Sequence, residues 1–245
     1  MINYNKQFWN KLTQGYYDLS FDNEGKKNSI QHAWHYLTFK KQKEYLISGQ
    51  THLDYACGPG TLIGQFSKSK SLGFDPATNQ IKYAISTYSN KNNKFIDNYE
   101  EIQEYQKFNI LTINGLFEYL TTEEIKNLIN QLVKFLHKDA KIIITTPNYS
   151  LLFRFIEVIS KLFGIINYGN INKNKYSQKK LENLFKDLGF KRYYIKKILN
   201  IGVLFSFINF KFAVSLEENI ENRFNKKFGF LLMAEIHVKG DKGII

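Results

Sequence analysis

Arginine is nearly missing from this chain: Arg154, Arg192 and Arg223 are the only three among 34 basic residues. Cysteine is scarcer still, with Cys57 standing alone. A single cysteine excludes an internal disulfide, and no set of histidines and cysteines has the spacing of a zinc site. No metal is therefore expected, and a reducing cytoplasm is the simplest setting. No apolar run reaches the roughly 20 residues that a membrane-crossing helix needs, and residues 1–9 hold no apolar stretch of signal-peptide length. The arginine shortage also bears on the charge. A formal net charge of +12 by itself points to a polyanion. Planar phosphate and base contacts favour arginine, however, and here lysine, asparagine and isoleucine abound instead. Solvated lysine faces are the expected outcome, with nucleic acid or an acidic membrane surface as the alternative partner.

The most informative stretch is Thr51-His52-Leu53-Asp54-Tyr55-Ala56-Cys57-Gly58-Pro59-Gly60-Thr61. A short, largely apolar strand carries a carboxylate near its end, and two glycines one residue apart then let the backbone turn before a helix begins near Thr61. A second strand, Ser71 to Phe74, ends in Asp75, followed by Pro76, where doubly wound folds hydrogen-bond the hydroxyls of a ribose. Together these describe a bound nucleoside. The spacing Gly58-x-Gly60-x-x-x-Gly64 also passes as a loose dinucleotide fingerprint. Asp54 argues against that choice, because a carboxylate just before the turn repels a pyrophosphate and attracts a cationic ligand.

Asp54-Tyr55-Ala56-Cys57-Gly58-Pro59-Gly60 resembles the first motif of class I S-adenosylmethionine-dependent methyltransferases, whose ligand carries a sulfonium and an ammonium. Lys94-Phe95-Ile96-Asp97-Asn98 is similar to that family's third strand with its adenine-facing acid. Phe108 to Leu120 is similar to its fourth strand and the turn beneath the methionine part. Ala140-Lys141-Ile142-Ile143-Ile144-Thr145-Thr146-Pro147-Asn148 resembles the fifth strand, with the Thr-Pro-Asn ending common among ubiquinone-type O-methyltransferases. The resemblance implies a Rossmann-like, doubly wound α/β fold with seven mostly parallel strands, an antiparallel last strand, helices on both faces and an N-terminal helical cap. It implies S-adenosylmethionine as cofactor. Asp54, Ala56, Cys57, Gly58 and Gly60 would shape the methionine end of the pocket, Asp75 and Pro76 the ribose site, Asp97 and Asn98 the adenine site, and Asn114, Gly115 and Leu116 the floor.

Three departures from the pattern stand out. Ala56 replaces the first glycine, which reads as a mild change. Asn109 replaces an acid, and Tyr119 replaces a histidine, leaving a phenol that is a poor base near neutral pH.

At 245 residues with 43% hydrophobic content, one domain over 1–245 is expected. It divides into a helical cap (1–50), a cofactor-binding half (51–148) and a substrate-side half (149–245) that contains an apolar insert (198–225). A helix from about Ser29 to Ile47 places Ile30, Ala33, Trp34 and Leu37 on one face. Tyr16, Tyr17, His32, Trp34, His35, Tyr119 and Asn148 are candidate acceptor contacts; for the helix, the plainer expectation is a packed Trp34 and one exposed histidine. Thr121-x-x-Glu124 forms a capping box for a helix running to Lys138-Asp139, so His137 would end that helix. A second helix spans Leu151 to Phe163, and a third is capped by Ser177 and stopped at Gly189. Phe190 to Ile198 and Phe228 to Lys239 are the expected last strands. The apolar insert interrupts itself with Asn200, Asn209 and Lys211, so packing, a dimer face or a peripheral membrane contact all fit it.

The expected activity is methyl transfer to an O or N atom of a small-molecule acceptor, with an apolar or lipid-like one among the candidates. The alternatives are an RNA methyltransferase, a nicotinamide-dependent reductase using Tyr176-x-x-x-Lys180, and a non-catalytic nucleoside-binding domain.

Overall fold

The computed structural model describes residues 9–18, 30–149, 172–224 and 228–238. The expected Leu151–Phe163 helix lies outside them. Seven strands form one sheet: β1 (Thr51–Tyr55), β2 (Lys70–Phe74), β3 (Asn93–Ile96), β4 (Phe108–Asn114), β5 (Leu136–Pro147), β6 (Tyr193–Ile198) and β7 (Leu231–His237). Their order is β3-β2-β1-β4-β5-β7-β6. The first five run parallel, and β7 inserts antiparallel between β5 and β6. The chain reverses its direction of winding between β1 and β4, so a crevice opens beyond their C-terminal ends, where open α/β sheets place ligands.

Among the described residues five α-helices surround the sheet: α1 (Ile30–Gln42), α2 (Thr78–Tyr88), α3 (Thr122–Leu132), α4 (Gln178–Asp187) and α5 (Phe210–Phe224). Alternation along each strand sorts the side chains between two faces. Leu53 and Tyr55 join Leu111, Ile113, Ile142, Ile144 and the apolar stripes of α3 and α4 in the larger core cluster. The opposite face buries Ile110, Ile143 and Met233 against Ala33 and Leu37 of α1. On that face β1 also carries His52 and Asp54, both buried.

Local chemistry explains the helix ends. Thr121 and Glu124 form the reciprocal capping box at the start of α3. Ser177 caps α4 through the Lys180 amide, and Gly189, at φ 77°, ends it in the left-handed conformation. α5 docks on α1 through Lys40–Glu218 at 2.6 Å and through Lys41–Glu221.

Several boundaries differ from expectation. Helix α1 stops at Gln42 and tightens into a 3₁₀ turn over Lys43–Tyr45. Neither of its histidines is exposed. The helix after the glycine loop is a single wide π turn, Leu62–Phe66, because β2 begins only a few residues later. Helix α3 ends at Leu132, and a 3₁₀ turn follows; Leu136 to Asp139, apolar then polar, extend β5 instead, so His137 is a strand residue. The insert begins with a 3₁₀ helix, Ile201–Phe207, that buries Gly202, Val203 and Ser206 and leaves Ile201 and Phe207 exposed. Among the described residues no helix is long and apolar enough to cross a membrane.

Ala56 is a larger departure than its size suggests. It sits at φ 63°, a left-handed conformation that costs a residue with a Cβ roughly 1–2 kcal/mol. Ala56→Gly relieves that strain while adding freedom to the unfolded chain, so a net stabilisation of about 0.5–1 kcal/mol is expected. Calorimetric melting should show a rise of about 1–3 °C; no rise, or a fall, would mean the loop relaxes around alanine.

Candidate active site

The crevice at the switch point is built from two sharp turns. After β1, the chain passes through Ala56, Gly58 and Gly60, all at positive φ. At Gly60 a Cβ would lie 2.6 Å from the Phe95 ring, so close packing as well as the turn requires glycine there. After β4, Gly115 at φ 58° turns the chain into a 3₁₀ turn over Phe117–Tyr119.

Asp75 fastens the first turn. Its Oδ2 accepts from the Gly58 amide at 2.9 Å and its Oδ1 from the Ala77 amide at 2.8 Å. A carboxylate has about four acceptor lone pairs, so lone pairs remain for ribose hydroxyls. Asp54 accepts from the Thr112 hydroxyl at 2.6 Å. Burial pushes the Asp54 carboxyl up to about 7, and nearby Asp75 adds to the rise while Thr112 opposes it. Burial also lifts Asp75 to about 6 against the pull of its two amide donors. Among the described residues no lysine or arginine pairs with either acid. Cys57 is buried beside them, its thiol pushed up by burial and by both carboxylates, which makes it a packing residue and not a nucleophile.

The floor and the cover complete the site. Asn114 Oδ1 accepts from Gln42 of α1 at 2.6 Å and from Thr145 at 2.8 Å, while the Gln42 Oε1 is buried without a partner. Leu116 is buried below. Above the loop lie Tyr16 and Tyr17: a Cβ on Gly58 would meet the Tyr16 hydroxyl at 3.4 Å and the Tyr17 ring at 3.6 Å. Tyr17 in turn packs on His35, ring centroids 4.0 Å apart. Burial, then the neighbouring His32, depresses His35 to about 3, so it is uncharged at neutral pH. The side-chain amides of Asn79 and Gln80 tie the covering segment to α2 through the Leu12 and Thr13 carbonyls and the Gly15 amide.

The structure thus gathers Asp54, Ala56, Cys57, Gly58, Gly60, Asp75, Asn114, Gly115 and Leu116 around one crevice. Tyr16 and Tyr17, expected on the acceptor side, lie against the glycine loop itself. Asp97 follows β3 half-buried, and the Asn98 Oδ1 is taken up by the Glu100 amide, capping the next 3₁₀ turn. Tyr119 stacks edge-on with Trp9 at 5.2 Å. Asn148 is buried and donates to the Gly229 carbonyl at 2.7 Å, which fixes the end of β5.

Gln42 and Glu118 were not singled out from sequence. An amide late in a helix carries no motif, and the acid lies inside the Phe108–Leu120 turn with no role of its own assigned; their burial beside the crevice marks them. Glu118 is pushed up to about 7 by burial, its Oε2 accepting from Thr146 at 3.1 Å. Its Oε1 lies 3.5 Å from where a Gly115 Cβ would be. Tyr176 of the reductase-like pair is a core residue, 1% exposed, with Lys180 stacked on its ring at 5.1 Å, so that spacing is coincidental.

A desolvated pair of acids with no cation of its own among the described residues, behind a turn that admits no side chain at Gly60, suits a cationic nucleoside and not a pyrophosphate. The comparisons agree. A methyltransferase-domain family model matches residues 17–194, well over half of the chain, and the protein belongs to that family. It is a class I, S-adenosylmethionine-dependent methyltransferase domain by fold and family. Among solved structures it is similar to magnesium protoporphyrin IX methyltransferase from Synechocystis PCC 6803 with bound S-adenosylhomocysteine, at 15% identity and TM-score 0.60, covering 95% of this chain and 97% of that one. A methyltransferase from Archaeoglobus fulgidus matches at 17% identity and TM-score 0.55, covering 91% and 100%. The plantazolicin methyltransferase BamL matches at 17% identity and TM-score 0.55, covering 95% and 93%. No curated protein matches.

The raised carboxyls set a pH dependence. Asp54, Asp75 and Glu118 all have folded values above the unfolded carboxylate range, so each contributes stability that is full below about pH 4 and is lost as pH rises through about 6 to 7. A ligand ammonium near Asp54 favours its ionised form and reverses part of that loss. The melting-temperature gain given by S-adenosylhomocysteine should therefore grow between pH 5 and pH 8, and Asp54→Asn should flatten the trend. A gain independent of pH in the native protein would show that Asp54 does not meet the ligand's positive charge.

Proposed function

We propose that this protein transfers the methyl group of S-adenosylmethionine to an oxygen or nitrogen of a small-molecule acceptor with apolar or aromatic character. The observation that carries the cofactor half is the uncompensated pair Asp54 and Asp75 at the switch point. Support for the acceptor half comes from the scarcity of arginine, which disfavours a nucleic-acid acceptor. Two similar structures, methyltransferases of a magnesium porphyrin and of plantazolicin, point the same way.

The bound cofactor would supply an electrophilic methyl on a sulfonium. The protein's part is positioning and exclusion of water. Asp54 meets the ammonium end, Asp75 keeps the loop folded while its free lone pairs take ribose hydroxyls, and Asn114, locked between Gln42 and Thr145, forms a rigid floor. A hydroxyl acceptor must lose its proton, and Glu118 is suited to take it, since its carboxyl titrates near neutrality beside the β4 turn. An amine needs only to arrive neutral.

Calorimetric titration with S-adenosylhomocysteine, with NADPH in parallel, tests the cofactor half. Micromolar binding of the first alone is expected, and Asp75→Ala should weaken it by about 1–3 kcal/mol; binding of NADPH alone would overturn the assignment. An acceptor screen of phenols, carboxylic acids and amines tests the rest. For a hydroxyl acceptor found this way, Glu118→Gln should lower kcat about 10²- to 10⁴-fold with cofactor affinity little changed. A kcat within threefold of the native value would remove Glu118 from the chemistry.

A further inference from the structure

Beneath Asp54 runs a line of buried polar side chains that the binding of a nucleoside does not require. The Thr112 hydroxyl donates to Asp54 Oδ1 at 2.6 Å. His52 Nε2 lies 2.7 Å from the same hydroxyl oxygen, and His52 Nδ1 lies 3.2 Å from Ser71 Oγ. Ser71 Oγ is 3.0 Å from Ser67 Oγ. His52 and Thr112 are fully buried, and Ser71 is 3% exposed. The register explains the line: His52 pairs with Ser71 on one side, and Asp54 pairs with Thr112 on the other, so three adjacent strands present these residues on the same face.

A neutral imidazole has one N–H, so the line has a direction. When Asp54 is ionised, the Thr112 proton is committed to the carboxylate. The Thr112 oxygen must then accept from His52 Nε2–H, and His52 Nδ1, left as an acceptor, takes the Ser71 hydroxyl proton at 3.2 Å in place of that hydroxyl's other acceptor, the Ser69 carbonyl at 3.3 Å, while Ser71 can accept in turn from Ser67. Every donor points toward the carboxylate. When Asp54 is protonated its own O–H can donate to Thr112, and the line can run the other way, with His52 in the Nδ1–H tautomer. Aligned hydrogen bonds reinforce one another in a low-dielectric interior.

We propose that His52, acting through Thr112, is a positioning residue that holds Asp54 ionised and fixed in rotamer for the ammonium of the cofactor, and that the His52 tautomer follows cofactor binding. This rests on the methyltransferase reading of the crevice. It adds that the affinity for the amino-acid end of the ligand is set in part by a histidine that does not touch it.

The test compares two ligands, S-adenosylhomocysteine and 5′-methylthioadenosine, which shares the nucleoside but lacks the ammonium. Thr112→Val and His52→Leu should each weaken the first about ten- to a hundredfold and the second by less than twofold. Thr112→Ser and His52→Gln, which keep a hydroxyl and an Nε-type donor, should recover most of the loss. Nitrogen-15 spectra of the native complex, assigned through the His52 variants, should show His52 protonated at Nε2 only. Equal weakening of both ligands, unchanged affinity for both, or an Nδ1–H tautomer in the complex would each overturn the proposal. A native protein that binds neither ligand would instead overturn the methyltransferase reading, and the proposal with it.

Discussion

Two carboxylates removed from water, close enough to interact and given no cation in return among the described residues, are the constraint around which this protein is organised. Burial of an unpaired charge is among the most expensive things a fold can hold. Here the cost is contained by hydrogen bonds: Thr112 to Asp54, and the Gly58 and Ala77 amides to Asp75. Those bonds also define the glycine turn. The two acids therefore shape the loop and create a demand for positive charge in the same place, a demand that the sulfonium nucleoside of this family would answer.

The rest of the molecule keeps that crevice rigid and dry. One face of the sheet is closed by α3 and α4 over an apolar cluster. The other is closed by α1 and α2, with α5 strapped to α1 by its ion pairs. From α1 Gln42 reaches down to Asn114, so the cap and the floor are joined by an amide hydrogen bond at 2.6 Å. The covering segment from Trp9 to Asp18 is fastened to α2 mainly by side-chain amides and to the loop by aromatic rings. Such contacts are specific in geometry and modest in strength, as suits a cover that must admit a ligand.

The sheet was legible in the sequence because each strand is a short apolar run bounded by turn residues, and four motif-bearing segments follow one another in the required order. Asp54, Gly58, Gly60 and Asp75 were legible because a tight turn and an acid at a strand end have few other causes. Boundaries were less so. Leu136 continues the helical apolar spacing of α3 yet belongs to β5, where pairing with Phe108 of β4 outweighs local preference. Gln42 and Glu118 were invisible because their significance lies in burial. His52 was visible only as a structural histidine, its partners being 19 and 60 residues away.

The alternation along β1 also disciplines folding. Shifting this strand by a single residue against its neighbours would carry His52 and Asp54 into the cluster now filled by Leu53 and Tyr55, stripping both polar groups of Ser71 and Thr112 and leaving them among Leu111, Ile113 and Phe74. Parallel strands with uniform apolar sequences tolerate such slips, because either face looks alike. Here the misaligned chain would lose several hydrogen bonds and bury a bare carboxylate, so the polar residues on one face of β1 proofread the central strand pairing before any ligand arrives.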